Sequence, residues 1–163
     1  MFAIAVLTIV AGISVPTTIA SFERARTHAA ARYLAARAAR AHTQAVLRTA
    51  NVALRFSREG EDVIVGEFVD GNRNGIRSAE IGSGIDPPLN PAVRFSNLFP
   101  RVVIELSDPV TLMSFTADGT ATSGTIYLRG ADGSRFGVRI LGATGRTRVL
   151  RYVPATGVWA EVL

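Results

Sequence analysis

The stretch Ala29-Ala30-Ala31-Arg32-Tyr33-Leu34-Ala35-Ala36-Arg37-Ala38-Ala39-Arg40-Ala41-His42-Thr43-Gln44-Ala45-Val46 decides how this chain folds. It contains no glycine or proline and is made of strong helix formers. Ala31, Leu34, Ala38, Ala41 and Ala45 recur at spacings of three and four and therefore share one stripe of a helix. Arg32, Arg37, Arg40, Thr43, Gln44 and Arg48 fall on the opposite side, which is expected to face solvent. A stripe of small side chains lets a helix lie close against a sheet.

Upstream, the same helical pattern runs without a break into Met1–Phe22, where no side chain is ionisable and Phe2, Ile4, Val6, Leu7, Ile9, Val10, Ile13 and Val15 make an almost continuous apolar run. A helix of about 20 such residues spans about 30 Å, the thickness of a bilayer's hydrocarbon core. Pro16 is expected to kink or locally unwind it. Three readings compete: a cleaved secretory signal with Thr18-Ile19-Ala20 as its cleavage site, a core helix of a soluble protein, and a retained membrane anchor. No Lys or Arg precedes the apolar run, against the first, and the run has no polar face, against the second. The unbroken passage into the amphipathic half favours the anchor.

Downstream of Asn51 the apolar period drops toward two. Val52, Leu54 and Phe56 alternate, and a turn at Arg58-Glu59-Gly60-Glu61 leads to Val63, Val65 and Phe68-Val69, a predicted hairpin. Pro87, Pro88, Pro91 and Pro100 mark a long stretch of loops and short edge strands, after which five more strands are expected within 102–106, 112–115, 125–129, 136–141 and 146–152. The predicted fold class is α+β: a long N-terminal helix, membrane-spanning over 1–22 and amphipathic over 23–51, packed on an antiparallel β-sheet head formed by 52–163.

The chain has 163 residues, no cysteine and a net charge of +5, and all 18 of its basic residues are arginine. The missing cysteine excludes disulfides, thiolate metal sites and cysteine nucleophiles. The charge is segregated: residues 1–58 carry +7, residues 59–118 carry −6, and residues 119–163 carry +4. His28 and His42 stand fourteen residues apart on one helix, too far to share a metal ion. No nucleophile and base share a motif and no phosphate-binding glycine loop is present, so no enzyme is expected.

Two segments are candidate sites. Asp70-Gly71-Asn72-Arg73-Asn74-Gly75 begins like a calcium-binding loop, with oxygen side chains Asp70, Asn72 and Asn74 at positions 1, 3 and 5. Its position 12 is Ile81 where a bidentate acid is needed, and Arg73 adds positive charge. A plain Asx and glycine turn is favoured over a weak calcium site, and no other cofactor is expected. Arg129, Arg135, Arg139, Arg146 and Arg148 fall on neighbouring predicted strands and form a candidate contact face for DNA or a partner protein. Leu150 interrupts the alternation, Arg151 points the other way, and aromatic stacking partners are sparse, so solvated arginines or contacts to an acidic neighbour are the simpler reading.

The order of these elements resembles the type IV pilin-like proteins, and among them the GspH/FimT pseudopilins and minor pilins of type II secretion and type IV pilus machines. The residues that carry the resemblance are Ile13-Ser14-Val15-Pro16, Ala30 to Arg37, Ala45-Val46 leading into Val52 to Phe56, the loop Val69 to Gly75, Phe115 to Gly130 with its Asp118-Gly119-Thr120 turn, and Thr144 to Arg148. It covers nearly the whole chain; the order of elements, not one motif, is what matches. The resemblance implies a structural subunit held in the bacterial inner membrane by a single pass, its head in the periplasm, which joins other pilin-like subunits and an assembly machine in a periplasmic or surface filament. It implies no small-molecule substrate. Some FimT-like minor pilins are understood to bind DNA through C-terminal arginines, which makes a DNA-binding minor pilin the alternative. Family members begin with a charged leader cut after a glycine, followed by an apolar stretch with glutamate at its fifth position. This chain has neither, and if Pro16 matches the family's helix proline, Met1 falls beyond that glutamate. The true start is therefore expected upstream of Met1, and the chain as written is not expected to be processed by the family's peptidase.

Overall fold

The computed structural model describes residues 2–108 and 110–162, and the side chains of residues 19–108 and 110–162. Helix α1 (Phe2–Arg48) is followed by β1 (Val52–Glu59) and β2 (Asp62–Val69), the short helix α2 (Ser78–Ser83), β3 (Pro88–Arg94) and one turn of helix, α3 (Phe95–Leu98). Then come β4 (Val103–Glu105), β5 (Val110–Phe115), β6 (Gly124–Arg129), β7 (Arg135–Ile140), β8 (Thr147–Val153) and β9 (Val158–Glu161). The contacts expected of Phe2, Ile4, Val6, Leu7, Ile9, Val10, Ile13, Val15 and Pro16 lie outside the described side chains. Among the residues with described side chains, no helix is long and apolar enough to cross a membrane.

The alanine stripe packs as its spacing predicts. Ala31, Leu34, Ala38, Ala41 and Ala45 are buried, and Ala30 joins them. Helix α1 ends where Thr49 takes a left-handed conformation (φ 51°), with Thr49 N–H donating to Val46 O and Ala50 N–H to Ala45 O. These two bonds satisfy the last helical carbonyls and turn the chain back into β1.

The strands form two antiparallel sheets instead of the single one expected. The first has the order β3-β2-β1-β5 and the second β4-β6-β7-β8-β9. Helix α1 touches β1 and β5 of the first sheet and β6, β7 and β8 of the second, so one face of one helix closes both. The inward side chains form one core around Phe56, Phe95, Phe115, Phe136, Leu34, Leu54 and Leu128. The predicted hairpin is β1-β2, in register from Val52↔Val69 to Glu59↔Asp62. The proline-rich stretch contributes β3 as an edge, and its pairing with β2 is irregular between Val65 and Phe68. Proline is tolerated there because an edge strand has one unpaired side.

The helical wheel misplaces one residue. Arg37 is 6% exposed, not solvated. Its guanidinium donates to Tyr33 Oη at 3.2 Å and to Glu67 Oε2 at 3.4 Å. Glu67, on β2, is fully buried, and the same oxygen also accepts from Arg40 at 2.7 Å and from Asn90 Nδ2 of β3 at 3.1 Å. One carboxylate thus ties α1 to the first sheet and to its edge strand. Removing one member of a buried ion pair leaves the other charge uncompensated. The variant Glu67→Ala is expected to lower head stability by about 3 kcal/mol. Arg40→Ala, with its side chain 53% exposed, should lower it by no more than about 1 kcal/mol. Urea unfolding of the soluble head checks both, and equal losses would contradict the arrangement.

Candidate functional site

The candidate arginines sit on the second sheet. Registers Arg129↔Arg135 and Arg139↔Arg148 place them in cross-strand pairs on the outward face, opposite the core residues Leu128, Phe136, Val138 and Ile140. Arg146 lies just before β8 and is exposed. The sequence therefore brings these arginines to one side of the head, as strand parity predicts.

The structure also gives three of them carboxylate partners. Arg129 Nε lies 3.0 Å and Arg135 3.2 Å from the two oxygens of Glu105 on β4, and Arg148 is 2.9 Å from Glu161 on β9. Arg139 Nε reaches only Thr125 Oγ1, at 3.4 Å. The face is a mixed-charge lattice, and its pairs are half exposed, so each contributes at most about 1 kcal/mol.

Between the two arginine pairs lies an aromatic cluster that sequence reasoning undervalued. Trp159 on β9 stands 5.2 Å from the Tyr127 ring and 5.4 Å from the Tyr152 ring. Gly137 makes room for it: a Cβ there would lie 3.4 Å from the indole and 3.2 Å from Thr125 Cγ2. Strand β9 was not expected, because Val158-Trp159-Ala160-Glu161 is too short to show a period and follows a weak turn signal. Its register Tyr152↔Trp159 is what joins the aromatics.

The Asp70 loop is built from its own backbone. Asp70 Oδ2 accepts the Gly75 N–H at 2.8 Å and Asn51 Nδ2 at 2.9 Å. Asn72 Oδ1 accepts the Asn74 N–H at 3.3 Å, and Asn74 Nδ2 donates to Glu80 Oε1 at 2.9 Å. The three side chains proposed as calcium ligands are thus engaged in turn and helix contacts. Among the described residues, no group of three or more His, Asp or Glu side chains is placed to hold a metal. A second buried carboxylate, Asp86, closes the far end by accepting the N–H groups of Gly71 and Arg77. Gly71 is required there, since a Cβ would fall 2.1 Å from Ile85 O.

Burial raises the Asp70 pKa, but hydrogen bonds from Gly75, Asn51, Arg73 and Asn74 outweigh it and hold the carboxyl below its ordinary value. Asp62 is similarly lowered: burial opposes, while Ser96, the Val63 and Ser96 N–H groups and Arg94 prevail. Asp118, bonded by Thr116 and Thr120, is pulled down to about 2. Groups with depressed folded pKa values contribute stability that is complete above the unfolded value of about 4 and fades as pH falls through the folded one. The head is therefore expected to lose stability progressively below about pH 4, with Asp70→Asn flattening that acid limb. Thermal melting from pH 7 to pH 2 checks this, and an unchanged slope in the variant would contradict it.

Residues 30–145 match the family model described as Type II transport protein GspH. The fold is similar to the minor pseudopilin EpsH from the Type 2 Secretion System of Vibrio cholerae, with a TM-score of 0.52 and 10% identity over 84% of this chain and 96% of that one. A search of curated proteins finds no match. The family match begins on the alanine stripe, crosses both sheets and ends after the turn that follows β7. The chain belongs to the GspH family, the minor pseudopilins of type II secretion.

Proposed function

We propose that this minor pseudopilin is held in the inner membrane by residues 1–22, with residues 23–51 and 52–163 forming a periplasmic head, and that it is then transferred into a short filament with other pseudopilins. The observation that supports this reading most is the division of α1. Its stripe from Ala30 to Ala45 is buried in the head, whereas Ile19 and Phe22, at the near end of the uncharged run, are 53% and 67% exposed. Large apolar side chains left in the open at the mouth of an apolar helix call for lipid or a neighbouring helix as cover. Moving such a surface from bilayer to filament core keeps it out of water in both states, so the exchange costs little and an assembly machine can drive it.

The arginine face does not support a second reading. Three of its five members are held by Glu105 and Glu161, so the positive charge that would have to meet a phosphate backbone is broken up by carboxylates on the same face. The family role is structural, with no catalytic step. Assembly through the helix makes a specific prediction. Phe22→Asp should leave the melting temperature of the soluble head nearly unchanged, because exposed substitutions usually cost under about 0.5 kcal/mol. The same variant in the full chain should lose most co-purification with the other pseudopilins from cells. Retained co-purification, or a wild-type chain found in the soluble periplasm cut after Ala20, would sink the proposal.

A further inference from the structure

Two clefts flank α1 at the end of the head nearest the uncharged run, and they share two side chains, Arg24 and Arg151. One, about 310 Å³, carries the charged and hydroxyl-bearing side chains Asp132, Ser134, Arg135 and Tyr152 in a wall completed by Val153 and Pro154. The other, about 340 Å³, is mainly apolar and is lined also by Ala25, His28, Phe136 and Val162. The geometry points to a seat for one anionic phospholipid, with its headgroup phosphate on Arg24 and Arg151 in the first, charge-bearing cleft and the start of an acyl chain in the second. The inference rests on the membrane-anchoring reading above.

The charge balance of the first cleft favours an anion. Arg135 is committed to Glu105 at 3.2 Å. Arg24 Nε lies 3.7 Å from Asp132 Oδ2, too far for a hydrogen bond, and its side chain is 64% exposed. Arg151 is exposed and, among the described residues, has no hydrogen-bond or ion-pair partner. Two guanidinium groups with donors to spare therefore face one carboxylate. Their planar forks match phosphate oxygens, and a phosphate would complete the coordination that Asp132 only begins.

The apolar cleft decides the kind of anion. A free phosphate would use only the guanidinium groups. Here the same two arginines also border Phe136 and Val162, so the matching ligand carries its phosphate next to hydrocarbon. His28 is stacked on Phe136 at 5.3 Å, and its Nε2 is buried with no hydrogen-bond partner. Placement agrees with chemistry, since Arg24 stands two residues beyond the uncharged run, where a spanning helix reaches the headgroup level.

The full chain in neutral-detergent micelles, exchanged with equal amounts of phosphatidylglycerol and phosphatidylcholine, tests the seat by native mass spectrometry of lipid adducts. Phosphatidylglycerol adducts should exceed phosphatidylcholine adducts about fivefold or more. The double variant Arg24→Ala with Arg151→Ala should bring the two lipids to near parity, and Arg24→Lys with Arg151→Lys should retain part of the preference. Arg48→Ala with Arg73→Ala, which removes the same charge elsewhere, should leave it intact. Equal adducts in the wild type, a preference that survives the double alanine variant, or one equally lost in the distant pair would overturn the seat. So would its abolition by excess inorganic phosphate, which would mark the cleft as a site for free phosphate. Anchoring is read separately, by alkaline carbonate extraction of cell membranes: a chain released by carbonate refutes the anchor, while the micelle assay still reports on the lipid preference.

Discussion

Close approach of α1 to two sheets is the constraint on which the rest of the structure depends. Among the described residues the sheets pair no strands with each other, and they are joined by the turn after β5, through the bridge Phe115↔Ala121 and the bond from Ala121 N–H to Gly142 O. What closes them into one core is the run of alanines that both contact. A larger side chain at Ala38 or Ala41, which are fully buried, would have to push the helix away from both sheets at once. Small residues are therefore a structural requirement here and not only the habit of an arginine- and alanine-rich composition.

Polar groups then fix what the small residues allow. An alanine stripe slides easily, because its surface is smooth and its contacts are non-directional. Glu67 removes that freedom by receiving Arg37 and Arg40 from the helix and Asn90 from β3. Glu23 does the same at the other end of the packed segment, where it holds Arg26 within the helix and Arg101 from the loop before β4 at 2.8 Å. His42 adds a third tie, with Nε2 at 2.9 Å from Gly119 O. Register along the helix axis is thus set by named contacts at both ends of the packed segment.

Much of this was legible in the sequence, for identifiable reasons. Helix and stripe follow from spacing alone, and the outward parity of Arg139 and Arg148 follows from alternation. Arg37 was misread because a helical wheel cannot know that a carboxylate thirty residues away enters from a strand. The single expected sheet became two because alternation tells which face a residue uses and not which sheet its strand joins. Partners of the C-terminal arginines were hidden for the same reason: Glu105 and Glu161 reach them only through pairings of β4 and β9. The Asp70 loop shows the converse case, in which a metal-like spacing of oxygens serves backbone N–H groups.

The placement of the ties along α1 has a mechanical meaning. Glu23 is held by Arg101 at one end of the packed segment, while Arg40 and His42, two residues apart near the other end, are held by Glu67 and Gly119. The helix is thus fastened to the head at two places about 25 Å apart along its axis. A load applied to its free end is shared between both fastenings and the buried stripe between them, instead of falling on one contact.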